Sequence, residues 1–141
     1  MRIYVAGKFG EKAAVRKVMK ILTDAGHTIT HDWTLEEKLP PDVVGRTAML
    51  TQYAVDDTQG VLDADCYVGV FVKDLPYKGS YAELGVAVGS GKPVILIGVY
   101  ANKCILSHHP LVIARYDSIK EFLRDQKLFR YAGEVRIKEV E

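Results

Sequence analysis

The sequence predicts an α/β domain: a five-stranded parallel sheet with helices on both faces. Three observations predict it. Strand-like and helix-like apolar segments alternate along the chain, and parallel strands require such crossover connections. Cys66–Val72 is a nearly continuous apolar run, as expected of a strand covered on both faces. Finally, 141 residues, 48% hydrophobic and 26% charged, suffice for one buried core, so residues 1–141 are read as a single domain.

The elements follow in order. Ile3–Ala6 is a short apolar run stopped by Gly7 and reads as the first strand. From Lys12 to Ala25, the residues Val15, Val18, Met19 and Leu22 recur at three- and four-residue steps, the stripe of an amphipathic helix ended by Gly26. His27–Trp33 is rich in β-branched residues and reads as a second strand. After Pro40-Pro41 a second helix is expected over Val43–Gly60, and then the strand from Cys66. The loop Lys73–Gly79 leads into a helix over Ser80–Ser90. Gly91-Lys92-Pro93 ends that helix and introduces a strand over Val94–Val99. Leu111–Tyr116 is a fifth strand, Ser118–Phe129 a last helix, and Arg130–Glu141 an edge strand or a frayed end. Right-handed crossovers between five strands favour the flavodoxin-like order 2-1-3-4-5, a three-layer α/β/α arrangement. Ligands of such sheets bind beyond the carboxyl ends of the strands where the winding reverses, here between the first and third strands. The loops Gly7–Gly10 and Lys73–Ser80 should face that crevice.

Composition narrows the function classes. With 19 Lys and Arg against 18 Asp and Glu, the net charge is +1. That balance offers no electrostatic motive for binding a nucleic-acid polymer or an anionic membrane, and points to a small-molecule partner. No apolar run approaches a membrane span and no signal peptide opens the chain, so a cytoplasmic protein is expected. Cys66 and Cys104 are read as reduced thiols. No metal site and no cofactor are expected, because His108-His109 has no Asp, Glu or Cys at ligand spacing. Ser107-His108 lacks a nucleophile-elbow pattern and is discounted as part of a hydrolase triad.

The first loop, with Gly7, Lys8, Phe9 and Gly10, permits close backbone approach and precedes a helix N-terminus, but matches neither a dinucleotide fingerprint nor a P-loop. In the second loop, Gly79 and Ser80 precede Glu83. Ser80-x-x-Glu83 fits a capping box, with Ser80 as N-cap; equally, Glu83 could point into the crevice as a nucleophile kept ionised by the helix N-terminus. Asp57 shares a helix face with Leu50, Ala54 and Val61, and a carboxylate on an apolar face is costly unless paired or functional. Asp56 should be solvated, while Asp63 and Asp65 fall at the amino end of the sheet and should cap a turn. Tyr4, in the first strand, could bond a carboxylate or fill the core. Trp33 could stack on a flat heterocycle or pack against a helix.

Together, Ile3-Tyr4-x-Ala6-Gly7, Asp57-x-x-Gly60-x-x-x-Ala64-Asp65 and Gly79-x-x-x-Glu83-Leu84-Gly85-x-Ala87-x-x-x-Gly91-Lys92-Pro93-Val94 resemble the nucleoside 2-deoxyribosyltransferase superfamily, which includes the deoxynucleoside 5'-monophosphate N-hydrolases. The resemblance covers roughly residues 2–110 and rests on the order and spacing of these pieces. It implies cleavage of the N-glycosidic bond of a 2'-deoxynucleoside, with Glu83 attacking C1', Asp57 helping to protonate the departing base, and Tyr4 steadying the nucleophile. It further implies a homo-oligomer with shared active sites and a place in nucleotide salvage. The transferases pass the sugar to another nucleobase; the hydrolases, acting on 5'-monophosphates, pass it to water. A non-enzymatic nucleotide-binding module is the remaining alternative. Lys8 and Ser107 are the residues available for a phosphate. Tyr77 stands where typical transferases carry an aspartate and the hydrolases a serine.

Overall fold

A computed structural model describes residues 1–125. The five strands are β1 (Arg2–Ala6), β2 (Thr28–Ile29), β3 (Cys66–Val70), β4 (Val94–Ile97) and β5 (Val112–Tyr116). All pairings are parallel and the order is β2-β1-β3-β4-β5. The expected flavodoxin-like α/β fold is therefore present. Four helices connect or follow the strands: α1 (Lys12–Asp24), α2 (Val43–Asp63), α3 (Lys78–Gly89) and α4 (Ile119–Arg124). The expected last helix beyond residue 125 and the Arg130–Glu141 tail lie outside the described residues.

β3 is buried along its whole length, and β1 and β4 are nearly so. α1 turns Val15, Val18, Met19 and Leu22 onto the sheet. The β1–α1–β2 crossover runs in the opposite direction across the sheet to β2–α2–β3 and β3–α3–β4, so right-handed crossings put α1 on one face and α2 with α3 on the other. Tyr4 and Tyr67 are partners in the β1–β3 register and share the α2/α3 face.

Several boundaries differ from expectation for physical reasons. β2 is only Thr28–Ile29, opposite Arg2 and Ile3: past that point the chain turns toward α2, where the Thr30 hydroxyl is held, while β1 runs on to Ala6 paired with β3 alone. Trp33 lies instead in a short 3-10 turn, where Asp32 accepts a hydrogen bond from the Thr34 N–H. α3 starts at Lys78, with Tyr77 rather than Ser80 in the N-cap position and no side-chain cap. The capping box is thus not formed: Ser80 is already within the first turn and Glu83 belongs to the second. α2 has 21 residues, roughly 31 Å, whereas a five-residue strand spans about 17 Å. Its amino-terminal part therefore overhangs the sheet. Leu50 and Ala54, expected to face inward, are exposed, while Gly60 and Val61 make the buried contact.

Gly60 is the point of closest approach between α2 and β1. A Cβ there would lie 2.8 Å from the His31 Cβ and 2.9 Å from the Tyr4 Cδ2. The Thr30 hydroxyl also donates to the Gly60 carbonyl at 2.6 Å. At the amino end of the sheet, Asp65 accepts from the Arg2 N–H at 2.7 Å, as expected of a turn-capping carboxylate. Cys66 is buried and Cys104 half-buried, and the two are not joined in a disulfide. Among the described residues, no helix is long and apolar enough to cross a membrane.

Candidate active site

A cavity of about 340 Å³ opens at the switch point between β1 and β3. Gly7, Lys8 and Phe9 line one side, and Pro76, Tyr77, Lys78, Gly79 and Ser80 another, so both expected loops form its walls. Trp33, Glu36, Asp57 and Glu83 complete it. Asp57 and Glu83, 26 residues apart in sequence, thus open onto one space. α2 runs antiparallel to the strands, and Asp57 sits about two turns before its end, level with the carboxyl ends of β1 and β3.

The buried Tyr4 hydroxyl donates a hydrogen bond to Glu83 Oε2. Burial, and then the Glu83 carboxylate, push the Tyr4 phenol upward, so it remains a donor at all ordinary pH values. Glu83 itself is pushed up to about 8, first by burial and then by the nearby Asp57 and Glu36, against the lowering effect of the Tyr4 hydrogen bond. The expectation that a helix N-terminus would keep Glu83 ionised is corrected. The residue lies a turn too far along α3, and desolvation dominates.

Asp57 does not stand alone on an apolar face. It is hydrogen-bonded to Glu36, carboxyl to carboxyl, and His31 Nε2 lies 3.1 Å from its Oδ1 and 3.4 Å from Glu36 Oε2. Burial, then the hydrogen bond to Asp57 and its charge, push Glu36 up to about 7 against the lowering effect of His31, while the same hydrogen bond lowers Asp57. Asp57 is nonetheless held above the usual carboxylate range by desolvation. The pair therefore retains one proton near neutrality, biased onto Glu36, as like charges in contact cannot both ionise cheaply. The donor atoms of His31, Glu36 and Asp57 lie within 4.8 Å of one another, a composition able to hold a metal ion.

Trp33 lines the cavity but its indole is packed: it is 5% exposed and its Nε1–H donates to the Val5 carbonyl at 2.7 Å. Phe9 is 51% exposed, with Lys12 Nζ 3.7 Å from its ring centre, and is the aromatic face presented at the cavity rim. Tyr77 is buried; its hydroxyl donates to Glu11 Oε1 at 2.5 Å and accepts from the Lys73 N–H at 3.2 Å. That pair ties the first loop to the second. Ser107 does not line this cavity. It is fully buried in a 3-10 turn after β4, where its hydroxyl donates to the Cys104 carbonyl at 2.6 Å. His109 Nδ1 accepts from the Leu111 N–H at 3.0 Å.

No protein-family model and no curated protein matches the sequence. Among solved structures, the chain is similar to the 2-deoxyribosyltransferase of the psychrotolerant bacterium Bacillus psychrosaccharolyticus. The two share 27% identity and a TM-score of 0.54, over 69% of this chain and 72% of that one. It is also similar in fold to the CMP N-glycosidase BcmB of Clostridium botulinum, with 20% identity, TM-score 0.64, and coverage of 92% of this chain and 99% of that one. Both neighbours belong to the nucleoside 2-deoxyribosyltransferase superfamily, the family that the sequence motifs resemble. Both neighbours are enzymes. In this chain, the meeting of Glu36 and His31 with Asp57 was invisible to sequence patterning. Glu36 and His31 sit in an irregular polar segment whose only local signal is the Asp32 turn that aims it at α2.

Proposed function

We propose that this cavity binds a nucleoside or nucleotide and cleaves its N-glycosidic bond through a glycosyl ester on Glu83. The observation that carries the reading is the meeting of two unlike carboxyl systems across one cavity. One is Glu83, held by the Tyr4 hydroxyl; the other is the proton-sharing Glu36–Asp57 pair. Leaving of the base develops positive charge at C1', which an opposed carboxylate stabilises before bonding to it. A Glu83 oxygen forms a bond to C1' as the C1'–N bond breaks and its electron pair goes to the base. Asp57, supplied by Glu36, delivers a proton or hydrogen bond to that base. Phe9 offers its exposed ring to the base's flat face.

In the second step a nitrogen of an incoming nucleobase attacks C1', the Glu83 ester bond breaks with its electron pair returning to the carboxylate, the proton of that nitrogen passes back to the Glu36–Asp57 pair, and the deoxyribosyl group is transferred. Similarity to a 2-deoxyribosyltransferase supports this reading. The second reading, hydrolysis of a 5'-monophosphate by water attack on the same ester, is favoured by one observation: Lys8 and Lys78 both line the cavity beside the first turn of α3. We also propose a homo-oligomer. α2 leaves Val43, Val44 and Val55 exposed, at 78%, 82% and 58%, which a second copy would cover.

Deoxynucleosides and their 5'-monophosphates, incubated with and without an acceptor base, separate these readings by product. Base exchange supports transfer; free deoxyribose or its 5-phosphate supports hydrolysis. Binding without turnover would leave only a nucleotide-binding module. Glu83→Ala is expected to lower turnover by roughly 10³-fold or more while leaving the fold intact. Substantial activity in that variant would refute the covalent route.

A further inference from the structure

We propose that Tyr67 is a positioning residue for the Glu83 carboxylate, fastening the first turn of α3 with its hydroxyl and backing the Tyr4 ring with its own. This inference rests on the reading of Glu83 as nucleophile. Tyr67 is fully buried in the middle strand, directly across from Tyr4 in the β1–β3 register. The two rings lie 6.3 Å apart with an interplanar angle of 25°. The Tyr67 hydroxyl donates to the Ser80 carbonyl at 2.7 Å. Ser80 precedes Glu83 by three residues, close to one helical turn, so the two lie on adjoining parts of the same helix face. No side chain caps α3, and the helix is short, so this bond fixes how far its first turn stands above the sheet.

The two tyrosines therefore act as a matched pair. Tyr4 reaches the carboxylate itself, and Tyr67 reaches the turn from which that carboxylate projects. A hydroxyl is not needed to fill the space, since phenylalanine would fill it. Its presence in a wholly buried position is accounted for by the bond to Ser80. Displacement of that turn by a fraction of an ångström would lengthen the Tyr4–Glu83 contact and misplace the attacking oxygen, to which rates are steeply sensitive. The groups facing Glu83 are Tyr4 from β1, Asp57 from α2, Glu36 from the segment before α2, and Tyr67 from β3.

The test compares Tyr67→Phe, Tyr4→Phe and the double variant in the full chain, with steady-state kinetics across pH on the deoxynucleoside or nucleotide that is turned over. Tyr67→Phe is expected to lower kcat by about five- to twentyfold with KM changed by less than about twofold. The basic limb of its pH profile should move to higher pH and the maximum should fall, because a weaker bond from Tyr4 leaves Glu83 harder to ionise and Glu83 already titrates above the Glu36–Asp57 pair. The double variant should be little worse than Tyr4→Phe alone, since both act through the same carboxylate. An unchanged kcat and basic limb, even with a lower Tm, would show a merely structural tyrosine and overturn the proposal. Multiplicative losses in the double variant would overturn it as well. Glu83→Ala is the separate control: activity retained there refutes the nucleophile reading itself, whatever Tyr67 does.

Discussion

Glu83 and Glu36 are carboxyl groups that burial has moved to opposite duties. In the proposed mechanism Glu83 must be ionised, yet it is raised to about 8, and the Glu36–Asp57 pair must hold a proton, yet Glu36 is raised only to about 7. The competent state is consequently a minor one, on the order of one twentieth of the protein at best. We expect a bell-shaped kcat/KM profile with its maximum midway, about pH 7.5. Glu36→Gln takes away the shared proton's second site and leaves Asp57, which the Glu36 contact lowers, as the sole acid. Activity at pH 7.5 should fall roughly ten- to a hundredfold and the optimum should move to lower pH, read from the kcat/KM profile. Stability should carry the complementary signature. Glu83 ionises near 4.5 when unfolded and near 8 when folded, so the native state binds the extra proton between those values and loses stability as pH rises through them. Glu83→Gln, neutral throughout, should be inactive yet have a higher Tm than the parent at pH 8, with the gain vanishing towards pH 4. A Tm difference independent of pH would contradict the raised Glu83.

At the scale of elements, the site depends on α2 lying close against β1. Gly60 allows this, and from that contact α2 carries Asp57 to the cavity while Tyr4 passes beneath. Gly60→Ala puts a methyl group within 3 Å of the Tyr4 ring and of His31 Cβ, neither of which has room to yield. It should cost about 1–3 kcal/mol in urea unfolding and lower kcat as Tyr4 and Asp57 are pushed apart. Unaltered turnover would mean that the ring contact does not set the site. The spacing of Asp57, Gly60, Ala64 and Asp65 was legible in the sequence, as was the helix that carries them. The direction in which Leu50 and Ala54 point was not. A 3.6-residue period reports which residues share a face, but whether that face meets the sheet depends on where the sheet ends.

For the whole molecule, the overhanging part of α2 is a surface poorly suited to water, with Val43, Val44 and Val55 exposed. Val44→Glu is expected to yield monomers by sedimentation velocity with unchanged far-UV circular dichroism, where the parent sediments as an oligomer. A monomeric parent would sink the proposed association. If subunits share sites, specific activity of the parent should also fall on dilution, and that of Val44→Glu should be low at every concentration.

Alternation of apolar segments, the glycines closing β1 and α3, and the buried run at Cys66 were enough to determine the parallel sheet, its 2-1-3-4-5 order and the loops that wall the cavity. These are local or topological facts, set by periodicity and by the hand of the crossovers. The protonation of the site was decided elsewhere. Only packing brought Glu36 and His31 onto Asp57, set Glu83 one turn deeper in α3 than a capping box would, and drew the Ser107 hydroxyl to Cys104. A carboxyl group's charge depends on what surrounds it in space, and residues 31, 36, 57 and 83 become neighbours only once the chain has folded.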